Sequence, residues 1–308
     1  MTSPPLLVIA GPTATGKTAA AMALAEHFGG ELVGADSVQV YRGFDIGSAK
    51  PTAAELGTIR HHLIDVIDPD EEIDAGAYAA LADRAIEEVH ARSRLPIVVG
   101  GTGLWIRAVV RGLVDVPPVD PDLRRRLEAD AEAQGTEALH ARLAAVDPLT
   151  AETVHPNDMV RIVRALEVYE QTGVPLGRLR EAHALGEPRY RAAFVALDMD
   201  REEHTAVVTA RVQAMLDAGW IDEVRALRKR WGAKVRPFGS VGYREVLAHI
   251  QDGAPLEETQ RLIGKSTRTY ARRQRTWFKG EPGVSWFSAS ARLVEQDGRE
   301  RIARELGL

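Results

Sequence analysis

Residues 11–18 read Gly11-Pro12-Thr13-Ala14-Thr15-Gly16-Lys17-Thr18, a complete match to the phosphate-loop pattern G-x-x-x-x-G-K-S/T. A five-residue apolar run, Leu6-Leu7-Val8-Ile9-Ala10, leads into it, and an alanine-rich stretch over 18–28 leads away. Such a loop works only where a buried strand feeds a helix. Its backbone N–H groups then wrap a polyphosphate at the positive end of that helix. The fold expected is therefore α/β: a P-loop NTPase-like parallel sheet flanked by helices. Lys17 is placed to reach the terminal phosphate, and Thr18 to offer its hydroxyl to Mg²⁺. The ligand is a diphosphate or a triphosphate, and the loop alone does not choose between them.

The segments that follow keep the alternation. Residues 31–35 form a second short strand ending at Asp36, 62–66 a candidate third, 74–92 a helix by apolar spacing, and 96–99 a continuous β-branched run typical of a buried parallel strand. A helix over 102–111 closes this part. Val116-Pro117-Pro118-Val119-Asp120-Pro121 then breaks the pattern. From there to about Arg191 only helices are expected, over 122–134, 136–146 and 158–172. Strand character returns at 192–197, helices dominate 201–278, and a last strand is expected at 284–287. The domain reading is a core of residues 1–115 and 192–308, interrupted by a helical insertion at 116–191.

The chain is 308 residues long and contains no cysteine, which removes disulfides, thiolate metal sites and a cysteine nucleophile. No run approaches membrane-spanning length, and the N-terminus has no secretory pattern, so a cytoplasmic protein without membrane contact is expected. A net charge of −5 argues at first against a nucleic-acid partner. The charge is unevenly spread, however. Seven Lys or Arg and no acidic residue fall between Arg261 and Lys279. Six of them, Arg261, Lys265, Arg268, Arg272, Arg275 and Lys279, repeat at 4, 3, 4, 3, 4, one continuous helical stripe. Ile263, Tyr270 and Trp277 would then form a buried seam on another face. A single-sign stripe repels itself unless an anion lies along it, which favours nucleic-acid contact over a bare solvated face.

The remaining candidates gather at strand ends. Asp36 suits a general base facing an acceptor or a magnesium ligand through water; it also suits a plain Asx turn. The run 96–99 ends in Gly100-Gly101-Thr102-Gly103 and not in the carboxylate that a nucleotide hydrolase usually carries there. Thr102 can cap the next helix and still meet a ligand. His61 and His62 point to opposite sides of a strand and cannot easily share an ion, so one packed and one exposed histidine are expected. Spacing alone does not mark Arg211 above its neighbours.

In combination these runs resemble the tRNA dimethylallyltransferases, which prenylate adenosine 37 beside the anticodon. The matching segments are 11–18, 35–42, 45–51, 61–65, 100–104, Asn157-Asp158 with 161–167, 211–224, Gly242-Tyr243 and 269–278, in one order over most of the chain. Trp105 departs from the pattern, which usually has tyrosine there, and the zinc-finger extension of eukaryotic members is not expected here. The resemblance implies that the loop of Gly11, Pro12, Thr13, Ala14, Thr15, Gly16, Lys17 and Thr18 holds the diphosphate of dimethylallyl diphosphate. Lys17, Thr18 and Arg211 would act there with Mg²⁺ bound through Thr18. Asp36 would accept a proton from the adenine N6 amine, and Thr102 would help place the base. Ser37, Val38, Gln39, Arg124, Val160, Arg161, Ile162, Val163 and Arg164 would contact the anticodon stem-loop of tRNA, with Arg268, Arg272 and Arg275 of the basic stripe. A monomer is expected.

Three other readings compete on the residues. A P-loop kinase of a nucleoside or small metabolite could use the arginine-bearing insertion as a lid. Prenylation of a free adenine nucleotide needs neither stripe nor insertion. An RNA-binding module that merely keeps a phosphate loop would not need Lys17, Thr18 and Asp36 intact.

Overall fold

The alternation of buried strands with amphipathic segments closes into a six-stranded, wholly parallel sheet in the computed structural model, which describes residues 4–184, 188–288 and 290–308. The chain divides into two compact units, Met1–Val110 with Pro188–Leu308, and Arg111–Glu187. In the first unit run β1 (Pro5–Ala10), α1 (Lys17–Phe28), β2 (Gly30–Ala35), α2 (Ala53–Thr58), β3 (His61–His62), α3 (Ala75–Ala91), β4 (Leu95–Gly100) and α4 (Gly103–Arg111). The second unit holds α5 (Pro121–Gln134), α6 (Thr136–Val146), α7 (Pro148–Thr153), α8 (Met159–Thr172) and α9 (Leu176–Ala184). The first unit resumes with β5 (Arg191–Leu197), α10 (Arg201–Asp217), α11 (Trp220–Trp231), α12 (Tyr243–Asp252), α13 (Leu256–Lys279), β6 (Ser285–Phe287), α14 (Ser290–Val294) and α15 (Gln296–Leu306).

The strand order is β3-β2-β4-β1-β5-β6, which puts the strand feeding the phosphate loop between β4 and β5. Its unbroken apolar sequence follows from that position. Leu6 and Val8 enter the core on one sheet face, and Leu7 and Ile9 enter the core on the other. Since all strands are parallel, the ends of β1, β2 and β4 open together. The residues after those strands, at 11–18, 36–39 and 100–103, share one crevice.

The third strand is shorter than the 62–66 expected. Leu63 and Asp65 take positive φ (63° and 55°), and the chain turns so that the Asp65 and Val66 N–H groups donate to the Gln39 and Val40 carbonyls. Lys50 secures this turn by donating to the Tyr41 carbonyl at 2.7 Å and pairing with Asp45 and Asp65 at 2.6 and 2.5 Å. The histidine expectation also needs correcting, since neither ring is left exposed. His62 Nε2 meets Glu31 at 2.8 Å, and His61 Nδ1 donates to the Ile59 carbonyl at 2.7 Å.

The helical unit has a core of its own, including Leu127, Leu139, Leu143, Ile162, Val163 and Leu166. The buried carboxylate of Glu167 organises its polar side. It accepts from Arg124 and Arg164, each at 2.8 Å, and from the Asp120 N–H at 2.9 Å.

Candidate active site

The phosphate loop takes its shape from two left-handed residues, Ala14 (φ 65°) and Gly16 (φ 79°), the latter capping α1. This turns the N–H groups at the head of α1 into the crevice, where the helix end favours an anion. Thr15 Oγ1 donates to the Pro12 carbonyl at 2.9 Å, and Lys17 Nζ donates to the same carbonyl at 2.5 Å. Thr13 belongs to the scaffold. Its N–H donates to Gln274 Oε1 at 2.8 Å, and its carbonyl accepts from His204 Nε2 at 2.9 Å. Pro12 has no N–H and Gly11 is buried, so the donors left for an anion begin at Ala14.

Around this loop lies a polar cavity of about 380 Å³ that includes Lys17, Thr18, Asp36, Gln39, Gly101 and Arg211. A second cavity of about 290 Å³ adjoins it, with Val208, Val212, Met215, Trp220, Ile263 and Tyr270 among its walls. Thr13, Asp36, Ser48 and Arg211 line both. A charged chamber therefore meets a largely apolar one, and Asp36 and Arg211 stand at the junction.

Helix α10 furnishes much of this contrast. Val208, Arg211, Val212 and Met215 fall on one face by helical spacing, so one element brings a guanidinium to the polar chamber and aliphatic groups to the other. Arg211 is half-buried, and burial lowers its pKa while Asp36 opposes that shift. Burial, and then the Arg211 charge, hold Lys17 down at about 7, with Asp36 acting to raise it. Two basic groups thus face one carboxylate in a partly desolvated crevice, an arrangement that attracts a polyanion.

Asp36 is an Asx turn as well as a site residue. Its Oδ1 accepts from the Val38 and Gln39 N–H groups at 2.8 and 3.3 Å. Among the described residues no hydrogen bond is made to Oδ2. The turn fixes the carboxylate and leaves one oxygen for chemistry. Thr102 is tied to the same segment, with its Oγ1 accepting the Ser37 N–H at 3.1 Å and its own N–H donating to the Ala35 carbonyl. The glycines beside it are required by close approach. A Cβ on Gly101 would lie 2.1 Å from Gln274 Nε2, and one on Gly103 would lie 2.2 Å from Trp277 Cδ1. Helix α13 therefore packs directly onto the Gly100–Gly103 turn.

The basic stripe is interrupted. Arg275 turns inward onto Asp198 at 2.5 Å, Arg261 pairs with Glu258 at 2.6 Å on its own helix, and Arg268 is half-buried. Lys265, Arg272 and Lys279 remain exposed, and so does Arg273, which lies off the stripe. The expected seam also shifts. Ile263 is buried, but Tyr270 and Trp277 are only partly so, and the inner face is completed by Gly264, Ala271, Gln274 and Phe278. In the helical unit, Ile162 and Val163 are core residues whose side chains cannot meet a partner, and Arg124 and Arg164 are engaged by Glu167. Val160 and Arg161 are outward, Val160 at 73% exposure. Trp105 is buried and stacks on Tyr78 with centroids 4.2 Å apart, so the departure from the family pattern falls in the core.

Motif and spacing do not mark Gln274 or His204 for a role, and they mark Tyr270 only as part of the expected seam. A usable signal existed for Gln274, which sits three residues after Ala271 and four before Phe278 on the buried face. Glu223 was missed as an anchor: its carboxylate accepts the Asp45 and Ile46 N–H groups at 3.0 and 2.7 Å and the Tyr243 hydroxyl at 2.7 Å. It thereby holds the loop that carries Ser48 to the cavity junction.

A sequence model of the family described as IPP transferase matches residues 39–281. A tRNA dimethylallyltransferase of Anaeromyxobacter dehalogenans is 50% identical over 297 residues, covering 94% of this chain and 99% of the relative. One from Symbiobacterium thermophilum is 47% identical, covering 97% and 94% respectively. Among solved structures, the full-length tRNA isopentenylpyrophosphate transferase of Bacillus halodurans is similar with a TM-score of 0.72 at 36% identity, covering 98% of this chain and 97% of its own. A eukaryotic dimethylallyltransferase acting on tRNA reaches 0.80 at 27% identity, covering 98% of this chain and 78% of its own.

Proposed function

The chain belongs to the IPP transferase family, and on that premise we propose that it transfers a dimethylallyl group from dimethylallyl diphosphate to N6 of adenosine 37 in tRNA, releasing diphosphate. The observation that carries this reading is the meeting of a cationic, phosphate-loop chamber with an apolar one at Asp36 and Arg211. A prenyl diphosphate has that same division, a polyanionic head joined to a hydrocarbon tail. The diphosphate lies against the N–H groups at the head of α1, with Lys17, Thr18 and Arg211 around it. The dimethylallyl group and the flipped adenine occupy the apolar side.

The exocyclic amine of adenine is a weak nucleophile, because its lone pair is delocalised into the ring. As the N6–C1 bond forms, the C1–O bond to diphosphate breaks and its electron pair leaves with the diphosphate. Asp36 Oδ2 takes the N6 proton, and Lys17 and Arg211 stabilise the charge on the leaving group. The allylic carbon shares positive charge along its double bond, so no covalent enzyme intermediate is needed. Removing the base from the anticodon-loop stack costs a few kcal/mol, which phosphate contacts along α13 and the helical unit offset.

Among the described residues no group of three or more His, Cys, Asp or Glu could hold an ion by itself. The donor set still fits Mg²⁺, which keeps waters and is bound by phosphate oxygens with one or two protein oxygens. Thr18 would hold it directly and Asp36 through water. When bound, the ion would neutralise charge on the departing diphosphate.

Incubation with labelled dimethylallyl diphosphate, Mg²⁺ and unmodified tRNA bearing adenosine at position 37 tests the proposal. Label is expected in tRNA and at that nucleotide. Label in free adenosine monophosphate instead, or ATP consumption with a small acceptor, would overturn it.

A further inference from the structure

Gln274 lies in the C-terminal third of α13 and is only 6% exposed, yet it belongs to neither chamber. Its Oε1 accepts the Thr13 N–H at 2.8 Å, and its Nε2 donates to the Gly101 carbonyl at 2.9 Å. The partners fix the amide orientation, since one is an N–H and the other a carbonyl. Tyr270, one turn earlier, lies with its hydroxyl against both Gln274 and Thr102. A single planar amide thus spans the phosphate loop after β1 and the turn after β4.

These two loops leave neighbouring strands, but strand pairing does not reach them. The β1–β4 register runs from Leu7 with Ile97 to Ile9 with Val99. Beyond it, Gln274 is a direct side-chain link between the loops. The absence of a side chain at Gly101 is what lets the amide come so close. Glutamine has both the reach and, at any pH, the paired donor and acceptor. Asparagine is one methylene shorter, and a carboxylate cannot donate.

We propose that Gln274 is a positioning residue for the transfer reaction, setting the spacing between the phosphate loop and the Thr102 turn. This inference rests on the function proposed above. If one loop holds the diphosphate and the other the target adenine, the amide controls the distance between leaving group and nucleophile. Such spacing matters steeply, since a misplacement of about 1 Å can cost about 10²-fold in rate. The residue acts through the two loops and touches neither substrate.

The test uses the full chain with Gln274→Met, which keeps the volume and removes both hydrogen bonds, and Gln274→Glu. For Gln274→Met, single-turnover prenyl transfer is expected to fall about 10²-fold. Affinity for inorganic diphosphate with Mg²⁺ should fall about tenfold, because the Thr13 N–H and Gly101 carbonyl lose their buried partner. Affinity for tRNA alone should stay within about twofold, as the exposed face of α13 is untouched. Gln274→Glu adds a pH signature. A neutral carboxylic acid can both accept from Thr13 and donate to Gly101, so its rate relative to wild type should rise as pH falls from about 8 to about 6. Wild-type rate and diphosphate affinity in the methionine variant would overturn the proposal. So would a rate loss that tracks thermal unfolding together with a flat pH ratio in the glutamate variant. If wild-type protein binds diphosphate but labels no tRNA, the proposed function fails, and the diphosphate titration still judges Gln274.

Discussion

At the residue scale, Lys17 shows how a site can be tuned for an absent charge. Desolvation and Arg211 hold its pKa at about 7, well below the usual lysine value, while Asp36 partly restores it. A bound diphosphate would supply negative charge and raise that pKa, so binding takes up a proton whenever the free lysine is neutral. The window opens at about pH 7 and closes at the higher pKa of the complex. Within it, linkage requires affinity to fall as pH rises, by up to about tenfold per unit. Calorimetry of inorganic diphosphate at about pH 8, in buffers of different ionisation enthalpy, should report proton uptake that Lys17→Gln lacks. Equal uptake in both proteins would show that the lysine keeps its proton in the free site. Asp36 makes a complementary point. Its Asx-turn geometry and its proposed role as base are both accommodated, because different oxygens serve them.

Among the elements, α13 has two dissimilar faces. The outward one carries Lys265, Arg272, Arg273 and Lys279, and the inward one carries Gln274 against the phosphate loop and Trp277 against Gly103. Spacing predicted the helix and its charge, but it could not show which arginines are already used. Arg275 is held by Asp198. The set of cations still available to RNA is therefore narrower than the stripe. Arg272→Gln with Arg273→Gln should weaken tRNA binding and flatten the dependence of log affinity on log salt. The slope should drop by about 0.7–0.9 for each phosphate that is no longer neutralised. Filter-binding titrations at several salt concentrations measure this. An unchanged slope would return these residues to an ordinary solvated face.

For the molecule as a whole, the helical unit is an excursion that leaves and rejoins the core at one place. The Arg189 N–H donates to the Val110 carbonyl, so the two ends of the first unit are already hydrogen-bonded. The unit's apolar core and its Glu167 cluster are internal to it. Replacing residues 111–187 by a short Gly/Ser linker should therefore leave a folded sheet that binds Mg²⁺ and diphosphate near wild-type affinity, with transfer to tRNA largely lost. Loss of cooperative unfolding or of diphosphate binding would show that the first unit depends on the excursion. The sequence by itself determined the phosphate loop, the parallel α/β order, the helical excursion and the positions of Asp36 and Thr102. Those features are local: a strand, a turn or a helix face repeats with a fixed period and leaves its mark within a few residues. Only the tertiary structure decided that Thr13 is scaffold, that Arg275, Arg124 and Arg164 are already paired, and that Gln274 joins two loops. Most of those pairings reach across tens to hundreds of residues. Whether a polar side chain is engaged or available is settled by which chain segment packs against it, and no local period encodes that.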